Sequence, residues 1–371
     1  MYPIHIKVFY HLYIYIFPKK SILTPIMVEN IFICNFNITT TKEAFMKTNI
    51  DLTDDIIRLL KNKLEKEYVK GHTKRDAHAK SLGLLKGKFV VDDLEDKYKI
   101  GIFKEARSFD ALIRTSNAMT HNDCKKGVRG FSIKLLDVYG DRVISNEKFT
   151  QDFLLVSSET MPIGTLKLFH DMIYYTSEGN PLFLFFRLFR ENQLHIIKDV
   201  KKYLKHHTSP LDIEYFSTTP YMFGDEVVKY KIVPRSKYRS VLPDKLYSTY
   251  LSDNMQTHLN YNKALFDFYV QFKTSEDMPI NDASVLWDET KSPFIKLGTL
   301  IIPSQKFMTD ERNELSENLS YSPGHSLTVH RPIGDINEAR TKIYDVMSEF
   351  RHSQNDKAMV EPDSTTFDNL I

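Results

Sequence analysis

A chain of 371 residues admits two domains, but a single large barrel or sandwich also fills such a length. With 42% hydrophobic, 12% aromatic and 26% charged residues, the composition is ordinary globular, which excludes disordered, collagenous and multi-span membrane classes. Fifty basic residues against 48 acidic ones leave a formal charge of +2, too balanced for a dedicated nucleic-acid binder.

The chain opens with an apolar run from Ile4 to Phe17 (IHIKVFYHLYIYIF), interrupted by Lys7 and His11. It falls short of the roughly 20 residues that a spanning helix needs. It also lacks the charged start and small-residue cleavage site of a secretory signal. Residues 1–45 are therefore expected to be a disordered extension, or to precede a true start at Met27 or Met46, and no stable membrane span is expected. Residues 51–70 (DLTDDIIRLLKNKLEKEYVK) place Ile56, Ile57, Leu59, Leu60 and Leu64 on one stripe, which predicts a capped amphipathic helix.

From about residue 98 the period becomes strand-like: KIGIF at 99–103, ALIRTSN at 111–117, GFSIKLLDV at 130–138 and DFLLVSS at 152–158. A helical stretch rich in Phe and Leu follows over roughly 163–207. The strands resume with IEYFSTTPYMFG at 213–224 and EVVKYKIVP at 226–234, joined by a hairpin at Gly224-Asp225, then ALFDFYVQF at 264–272 and FIKLGTLIIP at 294–303. Eight antiparallel runs can close into a barrel that is filled or holds one ligand. Asp335 to His352 reads as a terminal helix with a capping box at Asp335 and Glu338, and residues 353–371 as a frayed polar tail. Cys34 and Cys124 make neither a disulfide framework nor a thiolate zinc site, which points to a reducing compartment, by default the cytoplasm. The final Asn-Leu-Ile is not a peroxisomal address.

Three features could carry chemistry. On the terminal helix Arg340 and Tyr344 are four apart and Arg351 seven further on, close to one stripe. A guanidinium beside a phenol favours the phenolate, lowering its pKa from about 10, and a phenolate is a hard ligand for ferric iron; an ordinary surface Arg/Tyr pair has the same spacing. His78, within Arg75-Asp76-Ala77-His78-Ala79-Lys80, has small neighbours that leave room for a substrate beside a group suited to moving protons near neutrality. Arg114 lies in a strand that reads as buried, so it needs an anion: either an internal carboxylate or a ligand's.

RDAHAKSLGLLKGKF (75–89) resembles the distal-histidine segment of the haem catalase superfamily, and LIRTSNA (112–118) its arginine-bearing strand. KKGVRGFSIKLLDVYG (125–140) and TQDFLLV (150–156) resemble the next two barrel strands. YFSTTPYMFGDEVVKYKIVP (215–234) and DASVLWDETKSPFIKLGTLIIPSQ (282–305) are similar to the compact catalase-like and peroxidase-like subgroup. HRPIGDINEARTKIYDVMSEFRH (330–352) resembles the proximal-ligand helix with its R-x-x-x-Y pattern.

The resemblance implies an α+β fold, a closed and mainly eight-stranded antiparallel barrel with surrounding helices, over a haem-binding core at 46–352. It implies haem b as cofactor, Tyr344 as the iron ligand, Arg340 as the group that keeps it anionic, His78 as the distal acid/base, and Arg75, Arg114 and Arg351 on the propionates. The implied activity is that of a catalase or peroxidase on a small-molecule peroxide, with an unidentified electron donor. A fatty-acid hydroperoxide isomerase or lyase, and a haem-binding protein without turnover, are the alternatives. Two departures stand out: Val156-Ser157-Ser158-Glu159-Thr160-Met161-Pro162 offers no distal asparagine, and Ala77 is smaller than the residue catalases place before the histidine. The terminal regions that build catalase tetramers have no counterpart, which leaves a homodimer open.

Overall fold

Residues 47–118, 120–179 and 181–370 are described in a computed structural model; the expectations for residues 1–45 fall outside them. The strands are β1 (Lys80–Val91), β2 (Ser108–Asn117), β3 (Arg129–Leu135), β4 (Gln151–Val156), β5 (Tyr215–Phe216), β6 (Tyr221–Phe223), β7 (Glu226–Pro234), β8 (Ala264–Phe272) and β9 (Ile295–Ile302). All pairings are antiparallel. They run β1-β2-β3-β4-β5-β7-β8-β9 and return to β1, while β6 pairs only with β7. Closure leaves the eight strands of the ring without a free edge. Its seams differ in length: β1 and β2 share ten residue pairs, whereas β5 holds β4 by Val156↔Phe216 alone and β7 by two pairs.

Successive side chains point to opposite faces, so each strand contributes alternate residues to the interior. Ile113, Phe131, Ile133, Phe153, Leu155, Ile232 and Phe268 are fully or nearly buried there. Phe268 lies 5.1 Å from Phe89 and 4.9 Å from Phe153, ring centre to ring centre. Aromatic side chains thus fill the barrel. The alternate residues Arg114 and Ser116 of β2, Gly130 and Lys134 of β3 and Asp152 of β4 consequently belong to its outer face.

The helices are α1 (Asn49–Glu67), α2 (Leu166–Ser177), α3 (Pro181–Arg190), α4 (His195–Tyr203), α5 (Tyr250–Tyr261), α6 (Asp310–Asn318), α7 (Asp335–Gln354) and α8 (Ser364–Asn369). Thr48 and Asp51 form the capping box of α1, whose expected stripe is buried. Ile56 and Leu59 of α1, Leu166 and Ile173 of α2, and Ile336, Ala339 and Ile343 of α7 form one cluster. This bundle positions α7 beside the barrel.

Four expectations need correction. KIGIF forms short 3₁₀ turns, because Gly101 adopts φ +54° and a Cβ there would lie 2.3 Å from His330 Nε2, the atom that accepts the Ile102 N–H at 3.2 Å. Its place in the ring belongs to β1. The run at 213–224 splits into β5 and β6, although the hairpin at Gly224-Asp225 is present with Gly224 at φ +64°. Gly334, not Asp335, is the N-cap of α7, and Asn281 Oδ1 accepts the Asp335 N–H at 3.0 Å. The segment expected to fray folds back instead: Phe367 and Leu370 are buried with Leu84, Leu112 and Leu319.

Candidate active site

His78 lies just before β1 with φ +57°, a left-handed conformation that a side-chain-bearing residue rarely adopts. Its neighbours hold it there. The His78 N–H donates to Ala118 O at 3.2 Å, and its carbonyl accepts from Arg114 at 3.0 Å. His78 Nδ1 is 2.9 Å from Ser116 Oγ, and Gly130, in register with Ser116, leaves the ring its space: a Cβ at Gly130 would be 2.4 Å from Nδ1. Burial, then the charges of Arg114, Arg340 and Arg75, push the imidazole down to about 3. It is neutral at pH 7. With the Nδ1 proton assigned to the serine bond, Nε2 is left as a proton acceptor.

Arg75, Arg114 and Arg351 converge on the C-terminal end of α6. Arg75 donates to Ser316 O at 3.0 Å and Leu319 O at 2.6 Å, and Arg351 donates to Glu317 O and to Leu319 O. Carbonyls at a helix C-terminus carry partial negative charge, so they suit cations. The carboxylate of Glu317 lies 3.4 Å from Arg75 and 3.8 Å from Arg114. Of the two anions open for Arg114, the structure thus supplies an internal carboxylate, but at a distance too long for a hydrogen bond. Two guanidiniums share it, with Arg351 on the backbone carbonyl of the same residue, and Arg114 Nε is buried with no partner. Burial and the charge of Arg75, opposed by Glu317, push both Arg114 and Arg351 down to about 9.

On α7 the Arg340 guanidinium lies 5.4 Å from the centre of the Tyr344 ring, one helical turn away. It donates to Thr219 Oγ1 at 2.9 Å and Asn337 Oδ1 at 3.0 Å, and Asn337 in turn donates to Pro220 O at 2.7 Å. The link between β5 and β6 therefore fixes Arg340. Burial pulls its pKa down, but the phenols of Tyr344 and Tyr221 more than offset this and raise it. Because the charge of Arg340 also reaches His78, the two halves of the site share one region.

The six residues singled out in the sequence are thus placed, together with five neighbours that the sequence did not single out: Ser116, Gly130, Thr219, Glu317 and Asn337. Only Ser116 had a readable signal, being two residues from Arg114 and hence on its face. Ser157 Oγ accepts the Arg129 N–H at 2.9 Å, Ser158 is buried, and Ala77 is exposed; no asparagine lies at the end of β4. A cluster of guanidiniums short of carboxylates, with one unpartnered nitrogen, fits a ligand that brings two. A phenol beside a fixed guanidinium fits a hard metal ion. A separate cleft of about 40 Å³, beside Lys229 and Trp287, is lined by none of these residues.

A second buried group lies on the same outer face. Lys134 Nζ is 2.8 Å from Asp152 Oδ1 and 3.2 Å from His325 Nδ1, and it also donates to Glu147. The ligand atoms of Glu147, Asp152 and His325 lie within 4.8 Å of one another, a spacing that suits a metal ion, but the lysine ammonium already supplies the cation. Burial pulls the Lys134 pKa down, and the carboxylates of Asp152 and Glu147 outweigh it to raise it.

In sequence comparison, no protein-family model matches the chain and no curated protein is significantly similar to it. Solved structures are similar to it. A fungal catalase matches with a TM-score of 0.59 at 15% identity, over 85% of this chain and 66% of that one. A bacterial catalase matches with a TM-score of 0.58 at 15% identity, over 88% of this chain and 66% of the other. Catalase A from Saccharomyces cerevisiae matches with a TM-score of 0.61 at 15% identity, over 90% of this chain and 68% of its own. The chain spans about two thirds of the length of these catalases. It has a catalase-like fold, the closed eight-stranded antiparallel barrel with surrounding helices.

Proposed function

We propose that the chain is a haem-dependent oxidoreductase that cleaves hydrogen peroxide or organic hydroperoxides. The observation that carries this reading is a neutral imidazole, locked against β2 and β3, beside a cluster of three guanidiniums with one carboxylate, which two of them reach. Haem b would be held at its propionates by Arg75, Arg114 and Arg351 and at its iron by Tyr344. When bound, it supplies the metal centre at which the O–O bond breaks.

The residues of the chain do the rest. His78 Nε2 takes the proton from one peroxide oxygen and returns it to the departing oxygen, so no hydroxide need leave. Ser116 and Gly130 orient the ring, and Arg114, which donates to the carbonyl of His78, would also hold a propionate, coupling cofactor seating to the position of the acid/base. Arg340, fixed by Thr219 and Asn337, stabilises the Tyr344 phenolate.

The test is the visible spectrum of purified protein before and after peroxide. A ferric spectrum with phenolate ligation is expected, with loss of haem in Tyr344→Phe. If Tyr344→Phe keeps wild-type haem content and an unchanged spectrum, the ligand assignment is wrong. Oxidation of an aromatic donor outpacing oxygen release is expected from the missing distal asparagine, since loss of an orienting group can lower a rate by about 10²-fold. Conversion of a fatty-acid hydroperoxide with no donor would favour an isomerase.

A further inference from the structure

We propose that the outer faces of α3 and α4 dock the protein on an anionic phospholipid membrane surface. α3 reads PLFLFFRLFR; its Leu188 turns into a small apolar cluster with Leu168 of α2 and Ile196 of α4, against which Leu184 and Ile197 also pack. The flanks on either side of that face meet water. There Phe183 is 42% exposed and Phe189 64% exposed, with the exposed Arg190 beside them. Exposed phenylalanines on both flanks of the helix form the kind of apolar surface that marks an interaction site.

α4 carries the charge. Lys198, Lys201 and Lys202, at i, i+3 and i+4, lie on one exposed stripe, and Lys205 follows just past the helix. Among the described residues only Lys202 of these has a carboxylate within reach, Glu159 at 3.8 Å. Residues 181–207 hold six lysines and arginines against two acidic residues, in a chain whose total charge is +2. Positive charge is therefore concentrated beside exposed aromatic rings.

That combination selects among anionic partners. A duplex polyanion would meet the lysines but, with its bases stacked inside, would give Phe183 and Phe189 no apolar medium. A membrane interface meets both: rings enter the boundary between headgroups and acyl chains while lysines reach lipid phosphates. The mode is lying on the surface, since no described helix is long and apolar enough to cross a membrane. This inference stands apart from the peroxide reading, because vesicle binding needs no turnover.

Full-length protein would be sedimented with phosphatidylcholine vesicles with or without phosphatidylserine. Binding only to the anionic vesicles, released by salt, is expected. The triple variant Lys198→Glu, Lys201→Glu, Lys202→Glu should bind at least about tenfold more weakly, since each lysine near an anionic surface contributes about fivefold. Phe183→Ser with Phe189→Ser should also weaken it, with unchanged circular dichroism. Equal binding to both vesicle types, or to neither, overturns the proposal. So does tight binding of a single-stranded oligonucleotide that the phenylalanine substitutions leave untouched, which would reassign the face to a polyanion.

Discussion

Lys134 on β3 and Arg114 on β2 are both buried cations on the outer face of the barrel, yet their surroundings differ. Lys134 sits between two carboxylates and a histidine, with its own charge met inside the protein. Arg114 shares one distant carboxylate with Arg75, close to Arg351. A closed set of charges holds the fold together, whereas one that is short of anions is prepared for a ligand. The same face of one sheet carries both arrangements a few residues apart.

The largest effect should come from breaking the closed set. Lys134→Met leaves Glu147 and Asp152 buried without their cation, and loss of about 3–5 kcal/mol is expected in chemical denaturation. Arg114→Met in ligand-free protein should cost less than about 2 kcal/mol, since it removes one hydrogen bond to His78 but relieves repulsion from Arg75. Equal losses in the two variants would erase the contrast.

A smaller effect is expected at Gly130, where a methyl group would press on the His78 ring. Gly130→Ala should destabilise by about 1–3 kcal/mol as the ring shifts. Peroxide cleavage should fall further than haem content, and a variant that loses both in proportion would show that Gly130 serves only the fold.

The smallest effect concerns pH. A general base works only when deprotonated, and His78 is held at about 3, well below its ordinary value of 6.5. The rate that depends on His78 should therefore stay level from about pH 8 to about pH 5 and decline only at more acid pH. An inflection near pH 6.5 that vanishes in His78→Ala would mean that burial and the arginines do not depress the imidazole.

The strands that were legible in the sequence are those with continuous or alternating apolar runs: ALIRTSN, GFSIKLLDV, DFLLVSS, EVVKYKIVP, ALFDFYVQF and FIKLGTLIIP. β1 was not, because Gly83 and Gly87 punctuate it like a loop. In three dimensions they admit neighbours: a Cβ at Gly83 would be 2.5 Å from Phe307, and one at Gly87 3.0 Å from Ile301 O. KIGIF erred the other way, alternating like a strand while His330, far along the chain, shapes it into turns. The burial of Arg114 was readable from its strand. Gly130 under His78 and Glu317 among the arginines depend on register and on the end of α6, which no local pattern encodes.

β5 is the shortest link of the barrel, joined to β4 by one residue pair and to β7 by two. Such a hoop breathes at its weakest stave. Amides at this seam should exchange with solvent well before those of the ten-pair β1–β2 ladder, through local opening that leaves the remaining strands intact. Thr219, which anchors Arg340, lies three residues beyond Phe216. Each such opening therefore also loosens the anchor of Arg340, the guanidinium one helical turn from Tyr344, so the orientation of that pair is tied to the breathing of the barrel.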